Sequence, residues 1–136
     1  MIIAVCIDDK GGMLFNNRRQ SRDRTQQEDL LSLCGGKPLW IAPFSEKLLS
    51  WAADRVTADG DFLQKAGPGE VCFVEDHSPR EAADRVEAVV LYRWNRTYPA
   101  DLLFDLDLSA FQLTEQVEFS GSSHEKITRE RYERSV

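Results

Sequence analysis

The segment Asn17-Arg18-Arg19-Gln20-Ser21-Arg22-Asp23-Arg24 holds the chain's most distinctive chemistry, four guanidiniums with amide, hydroxyl and carboxylate groups among them in eight residues. A guanidinium presents planar N–H forks that match the two oxygens of a phosphate or a carboxylate, so the segment reads as an anion-binding loop. The same charges also fit a solvated loop whose arginines pair internally with Asp8, Asp9, Asp23 and Glu125, and both readings stand at this level. A second basic cluster, Lys126, Arg129, Arg131 and Arg134, lies near the C-terminus. His77 and His124 are the only histidines. Neither has a second histidine or a cysteine at ligand spacing, so no zinc site is expected. No Walker loop, Gly-x-Ser-x-Gly elbow, Cys-x-x-Cys pair or metallo-β-lactamase-type histidine-aspartate signature occurs. Glu75-Asp76-His77 has the groups for acid-base work, but a turn leading into a helix with Pro79 near its start accounts for it equally well.

Elements must position these groups, and composition limits how many there are. The 136 residues, with 42% hydrophobic and 10% aromatic content, suit one domain, 1–136, around one core. A net charge of -6 opposes nonspecific binding along a phosphate backbone, leaving a local anion site or a specific RNA contact as the nucleic-acid options. Cys6, Cys34 and Cys72 are odd in number and far apart, which suits a reducing cytoplasm rather than a disulfide framework. The apolar hexapeptide Ile2–Ile7 is too short for a signal peptide or membrane span, and no membrane association is expected. Outside secretion, the sequon Asn95-Arg96-Thr97 carries no consequence.

Continuous apolar runs at Ile2–Ile7, Leu39–Ala42, Val71–Val74 and Ala88–Tyr92 predict strands covered on both faces. Asn16 to Arg24 shows no period and reads as a long surface loop. Thr25-Gln26-Gln27-Glu28 has the form of a capping box ahead of a short helix that ends at Gly35-Gly36. Leu48, Leu49, Ala52 and Val56 fall at helical spacing within a second helix over 46–55. A short helix is expected in 59–66, and at most about two turns in 79–85. Phe111–Phe119 alternates apolar and polar with Glu115 out of phase, which predicts a half-exposed antiparallel strand returning through 126–133. Trp40, Trp51 and Trp94 sit in apolar surroundings and are expected in the core.

This order resembles that of dihydrofolate reductases. Ile2-Ile3-Ala4-Val5 through Gly12 and Asn17 looks like the family's first strand and mobile loop. Glu28-Asp29-Leu30 followed by Lys37-Pro38-Leu39-Trp40-Ile41 resembles its first helix and second strand. Val89-Val90-Leu91-Tyr92 with Tyr98-Pro99-Ala100-Asp101 and Phe104, and then Phe111 to Arg134, resemble its late strand, acidic turn and closing hairpin. The resemblance implies an α/β fold, a mixed twisted sheet with flanking helices and a C-terminal antiparallel hairpin. It also implies that the loop from Asn17 lies beside the loops around Asn95 and around Ser122 to Lys126.

The departures bear on function. Where the family places a Gly-Arg pair with a nearby threonine against cofactor phosphates, this chain has Ala42-Pro43-Phe44-Ser45, and its Gly-Gly pair is replaced by Glu75-Asp76. Proline donates no N–H, and each carboxylate repels a pyrophosphate by roughly 1 kcal/mol in water. The stretch between Ser50 and Val71 is too short for the family's second cofactor-binding strand, and no cofactor is expected. Asp29 matches the family's substrate-binding acid, or simply favours a helix N-terminus. The expected function is a diverged reductase-fold protein without NADPH-dependent activity. It would bind an anionic small molecule or a protein partner through Asn17, Arg18, Arg19, Gln20, Ser21, Arg22, Asp23 and Lys126. The enzyme alternatives are a residual reductase using Asp29 and a metal-independent ribonuclease or phosphodiesterase using His124 with the arginines.

Overall fold

A computed structural model describes residues 1–135. Strand β1 (Ile2–Ile7) is apolar throughout because it is covered on both sides. Side chains alternate across a strand, so Ile3, Val5 and Ile7 enter one hydrophobic cluster while Ile2 and Ala4 enter another. After β1 come β2 (Gly12–Phe15) and β3 (Arg18–Arg19), then helix α1 (Arg24–Ser32). Next are β4 (Leu39–Ile41), β5 (Val56–Ala58), helix α2 (Phe62–Lys65), β6 (Val71–Phe73) and β7 (Ala88–Arg93). β8 (Leu102–Leu103) precedes the closing hairpin of β9 (Phe111–Phe119) and β10 (Ile127–Arg134).

Seven strands form one sheet in the order β5-β4-β6-β1-β7-β10-β9. The first five are mutually parallel, and β10 and β9 are antiparallel at the edge. Leu30 and Leu31 of α1 cover one face beside Ile41, Val90 and Tyr92, while Phe62, Leu63, Ala82 and Val86 cover the other. Full burial of each such leucine contributes about 1.5–3 kcal/mol. A second small sheet, β3-β2-β8, has its own hydrogen-bonded ladder, and Met13 and Leu14 of β2 pack into the cluster that holds Ile3 and Val5. The mixed sheet, flanking helices and terminal hairpin match the expected α/β architecture.

Several local expectations are corrected. The stretch from Asn16 is not wholly loop: Asn16 and Asn17 have φ of 51° and 59°, turning β2 back into β3 as a two-residue hairpin. Asparagine tolerates that left-handed region because its short polar side chain bonds locally. Helix α1 is capped by Asp23, whose side chain accepts from Gln26 N at 3.1 Å, rather than by Thr25. The second helix is replaced by two 3₁₀ turns, Pro43–Ser45 and Ser50–Arg55, the latter broken at Ala52. A period of three turns Leu49 and Ala52 inward and delivers the chain at once to β5. That three-residue strand, parallel to β4 in the register Leu39↔Val56, occupies the stretch read as too short for one. Residues 79–85 are likewise 3₁₀. Glu115 is out of phase because the ladder steps from Glu115↔Arg131 to Leu113↔Tyr132, leaving Thr114 as the extra residue of a bulge.

Candidate functional site

Strands β1, β4, β6 and β7 all run in the same direction, so their carboxyl ends open at one end of the sheet, where open α/β sheets form binding crevices. The residues leaving those ends are Asp8, Ala42-Pro43, Val74-Glu75 and Trp94-Asn95. Three charged clusters organise this region.

The first lies beyond β4 and β6. Arg19 donates from Nε and Nη2 to the two oxygens of Glu75, each at 2.8 Å, and Ser45 Oγ donates to Glu75 Oε1 at 2.7 Å. Glu75 is only 9% exposed, and the Arg19 guanidinium lies 5.0 Å from the Phe44 ring centroid. β3 holds Arg19 in place because its register fixes the side chain opposite Leu14.

The second centres on Asp23. Its carboxylate accepts from Gln26 N at 3.1 Å, Ser122 N at 3.0 Å, Ser123 N at 2.8 Å and His124 Nδ1 at 3.0 Å. Burial pushes this carboxyl up, but the bonds from His124, Ser123, Ser122 and Gln26 outweigh it and hold the group well below the usual carboxylate range. Because a carboxylate has no proton to give, the neutral His124 imidazole carries its proton on Nδ1 and leaves Nε2 as an acceptor. Ser21 Oγ lies 2.9 Å from that Nε2, with the Tyr98 hydroxyl farther away at 3.5 Å. The Trp94 ring stacks on the imidazole at 4.4 Å and 20°, fixing its plane. Gly121 makes this packing fit, since a Cβ there would strike the Asp23 carboxylate and come within 2.8 Å of Ile127 Cδ1. Asp8 is a similar buried hub. Burial raises its carboxyl, but N–H groups of Tyr98, Gly12 and Lys10 and the Gln20 amide more than offset that and lower it.

The third cluster surrounds Asp29, which accepts from Tyr92 Oη at 2.6 Å and from Arg129 Nη1 at 2.7 and 2.8 Å. Arg129 continues to Glu115 at 3.0 Å. Burial, then the neighbouring Asp29, pushes the Tyr92 phenol far above its ordinary range.

The residues singled out in the sequence are therefore distributed. Arg22 and Asp23 line a cleft of about 330 Å³ with Arg24, Gln27, Trp51 and Ser122. Arg18, Arg19 and Gln20 line a second, of about 250 Å³, with Phe15, Tyr98 and Pro99. Lys126 lines a third with Trp94 and Arg96 and pairs with Glu118 at 3.6 Å. Asn17 sits exposed on the β2–β3 turn, and Asp29 and His124 belong to separate hydrogen-bonded clusters. None of Asp8, Asp9, Asp23 or Glu125 pairs with an arginine of the loop among the described residues; Glu75 does so instead. Among those residues no three histidine, cysteine, aspartate or glutamate side chains gather as a metal site, and no helix is long and apolar enough to cross a membrane.

Trp51, expected in the core, is instead 38% exposed, with Nε1 donating to Gln27 at 2.7 Å and the Arg24 guanidinium 4.0 Å over its ring. No local signal in the sequence joins Trp51 to Gln27 or Ser122. The Ser21-x-Asp23 spacing, with one of two distant histidines, is the one trace of the second cluster readable along the chain.

No family model and no curated protein matches the chain. Among solved structures it is similar to dihydrofolate reductase from Enterococcus faecalis, in a complex with NADP(H) and RAB-propyl, at a TM-score of 0.71 and 13% identity. That match covers 100% of this chain and 97% of the other. At such identity the likeness is one of fold, and the fold is dihydrofolate reductase-like.

Proposed function

We propose that this chain uses a reductase-like frame to bind an anionic small molecule in the cleft between Arg22, Arg24, Trp51 and Ser122, without nicotinamide-dependent activity. One observation carries the reading. Arg22 and Arg24 are exposed at the rim of a cleft of about 330 Å³ and have no carboxylate partner among the described residues, whereas Arg19 and Arg129 are neutralised internally. Two guanidiniums without carboxylate partners favour a phosphate or carboxylate, and the indole of Trp51, 38% exposed and stacked under Arg24, forms an apolar wall beside them.

The residues at the strand ends do not fit a dinucleotide. Pro43 contributes no N–H, and Glu75 occupies the ground beyond β6 as a buried carboxylate tied to Arg19 and Ser45. An entering pyrophosphate would meet that negative charge and would have to break the pair to reach Arg19. Asp29 is committed as well, since both its oxygens already accept from Arg129. A ring binding there would have to displace a guanidinium.

The probes are pyrophosphate and adenosine monophosphate, followed through tryptophan fluorescence. Binding with Kd below about 1 mM, near 4 kcal/mol, and a loss of tenfold or more in Arg22→Ala with Arg24→Ala, is the expected result. Equal binding by that double variant, or no binding of either probe by the parent, removes the reading. NADPH should bind more weakly than about 10 μM, near 7 kcal/mol, and tighter binding contradicts the proposed loss of its site.

A further inference from the structure

The Asp23 cluster contains an arrangement that the anion-binding reading does not use, although Asp23 also lines that cleft. Asp23 Oδ2, His124 Nδ1, His124 Nε2 and Ser21 Oγ form a continuous line of hydrogen bonds, 3.0 Å at the first link and 2.9 Å at the last. The acid orients the imidazole, the imidazole presents a free lone pair, and the serine hydroxyl donates into it. Asp23 and His124 are buried, while Ser21 is half-buried and so sits at the accessible end of the line. The stacked Trp94 keeps the ring from turning away. This is a stronger arrangement than packing alone requires: Ser21 could point its hydroxyl to water, and the described hydrogen bonds give its side chain only this partner.

We propose that Ser21 is the nucleophile of a Ser21–His124–Asp23 triad that hydrolyses small carboxylic esters. The candidate ester site is the cleft of about 250 Å³ lined by Arg18, Arg19 and Gln20 with Phe15, Tyr98 and Pro99. Gln20 is the residue before Ser21, and the Tyr98 hydroxyl lies 3.5 Å from the same Nε2, so two of its lining residues connect this cleft to the triad. Phe15 and Pro99 offer it apolar surface beside the polar side chains of Arg18 and Gln20, which suits a small ester.

The reaction needs no group beyond water. Ser21 Oγ bonds to the carbonyl carbon as its proton moves to His124 Nε2. The adduct then collapses, the bond from carbon to the leaving oxygen breaks, and the alcohol departs with that proton. Water attacks the acyl-serine with His124 again taking a proton, and the acid is released as the Ser21 hydroxyl is restored. Asp23 acts as a positioning residue throughout, holding the tautomer and stabilising the transient imidazolium.

The experiment uses p-nitrophenyl acetate and p-nitrophenyl butyrate as substrates, with a fluorophosphonate as a covalent probe located by peptide mass spectrometry. Turnover above the buffer rate, one adduct per chain on Ser21, and a fall of about a hundredfold in Ser21→Ala are expected. Absence of an adduct on Ser21 in the parent protein, or turnover by Ser21→Ala equal to the parent's, overturns the triad. The adduct is read on the parent chain, so its presence or absence is decisive whether or not the variant folds. Loss of anion binding in the Arg22 and Arg24 variants leaves Ser21 labelling intact if the two sites are separate.

Discussion

Arg19 and Arg22 come from one eight-residue segment and meet opposite fates at the two sides of the crevice. On the β6 side, Arg19 is closed onto Glu75 with a fork of two 2.8 Å bonds and is backed by Phe44. On the α1 side, Arg22 and Arg24 stand exposed around a cleft floored by Trp51 and Ser122, because the nearby acid, Asp23, is already filled by N–H donors. The difference shows that the charge of a segment does not measure its capacity to bind. What matters is whether the local carboxylates are already satisfied. A saturated acid such as Asp23 acts as a structural pin and leaves adjacent cations free, while an unsaturated one such as Glu75 takes a cation out of use.

The comparison breaks most severely at Asp23. Asp23→Ala removes the cap of α1 and strands the N–H groups of Ser122 and Ser123 together with His124 Nδ1, so a loss of about 4 kcal/mol is expected in urea unfolding. The same pin is acid-sensitive with a defined sign. Its folded-state value is depressed, so its stabilisation is complete above about pH 4 and fades as acid protonates the carboxylate below that. Asp23→Asn should therefore flatten the decline of stability on acidification relative to the parent; an unchanged slope would mean that Asp23 is not the pin.

A smaller effect is expected on the closed side. Glu75→Ala leaves Arg19 without either acceptor, and about 2–3 kcal/mol of stability should disappear. Combined with Arg19→Ala the loss should fall short of the sum by about 1–3 kcal/mol in a double-mutant cycle, and simple additivity would show that the pair is not coupled. Smallest is Arg24→Ala, where only a stacking contact on an exposed indole is removed. Its cost should stay at or below about 1 kcal/mol by the same unfolding measurement, and a larger one would make Arg24 a structural residue.

Much of the frame is legible along the chain because its signals are local and repeated. Four apolar runs become the buried parallel strands, and the alternation at Phe111–Phe119 becomes the antiparallel edge. Even the out-of-phase Glu115 marks a real irregularity, the bulge at Thr114. The site is legible only in part. Ser21, Arg22 and Asp23 stand out by residue type, yet the partners that divide the segment's roles are far away in the chain: Glu75 for Arg19, Ser122 to His124 for Asp23, and Trp51 for Arg24. Capping obeys the same rule, since Thr25 fits the local pattern but Asp23 gains six donors, five of them from Ser122, Ser123 and His124 across the fold.

Residue order alone was enough for the α/β arrangement, the antiparallel close and the presence of a guanidinium-rich segment, because periodicity and side-chain type are properties of neighbouring residues. Which guanidiniums remain available, and that Ser21, His124 and Asp23 fall in line, became visible only in three dimensions. Those outcomes depend on which buried acceptors are filled first, and that is settled by chain segments meeting across the end of a sheet.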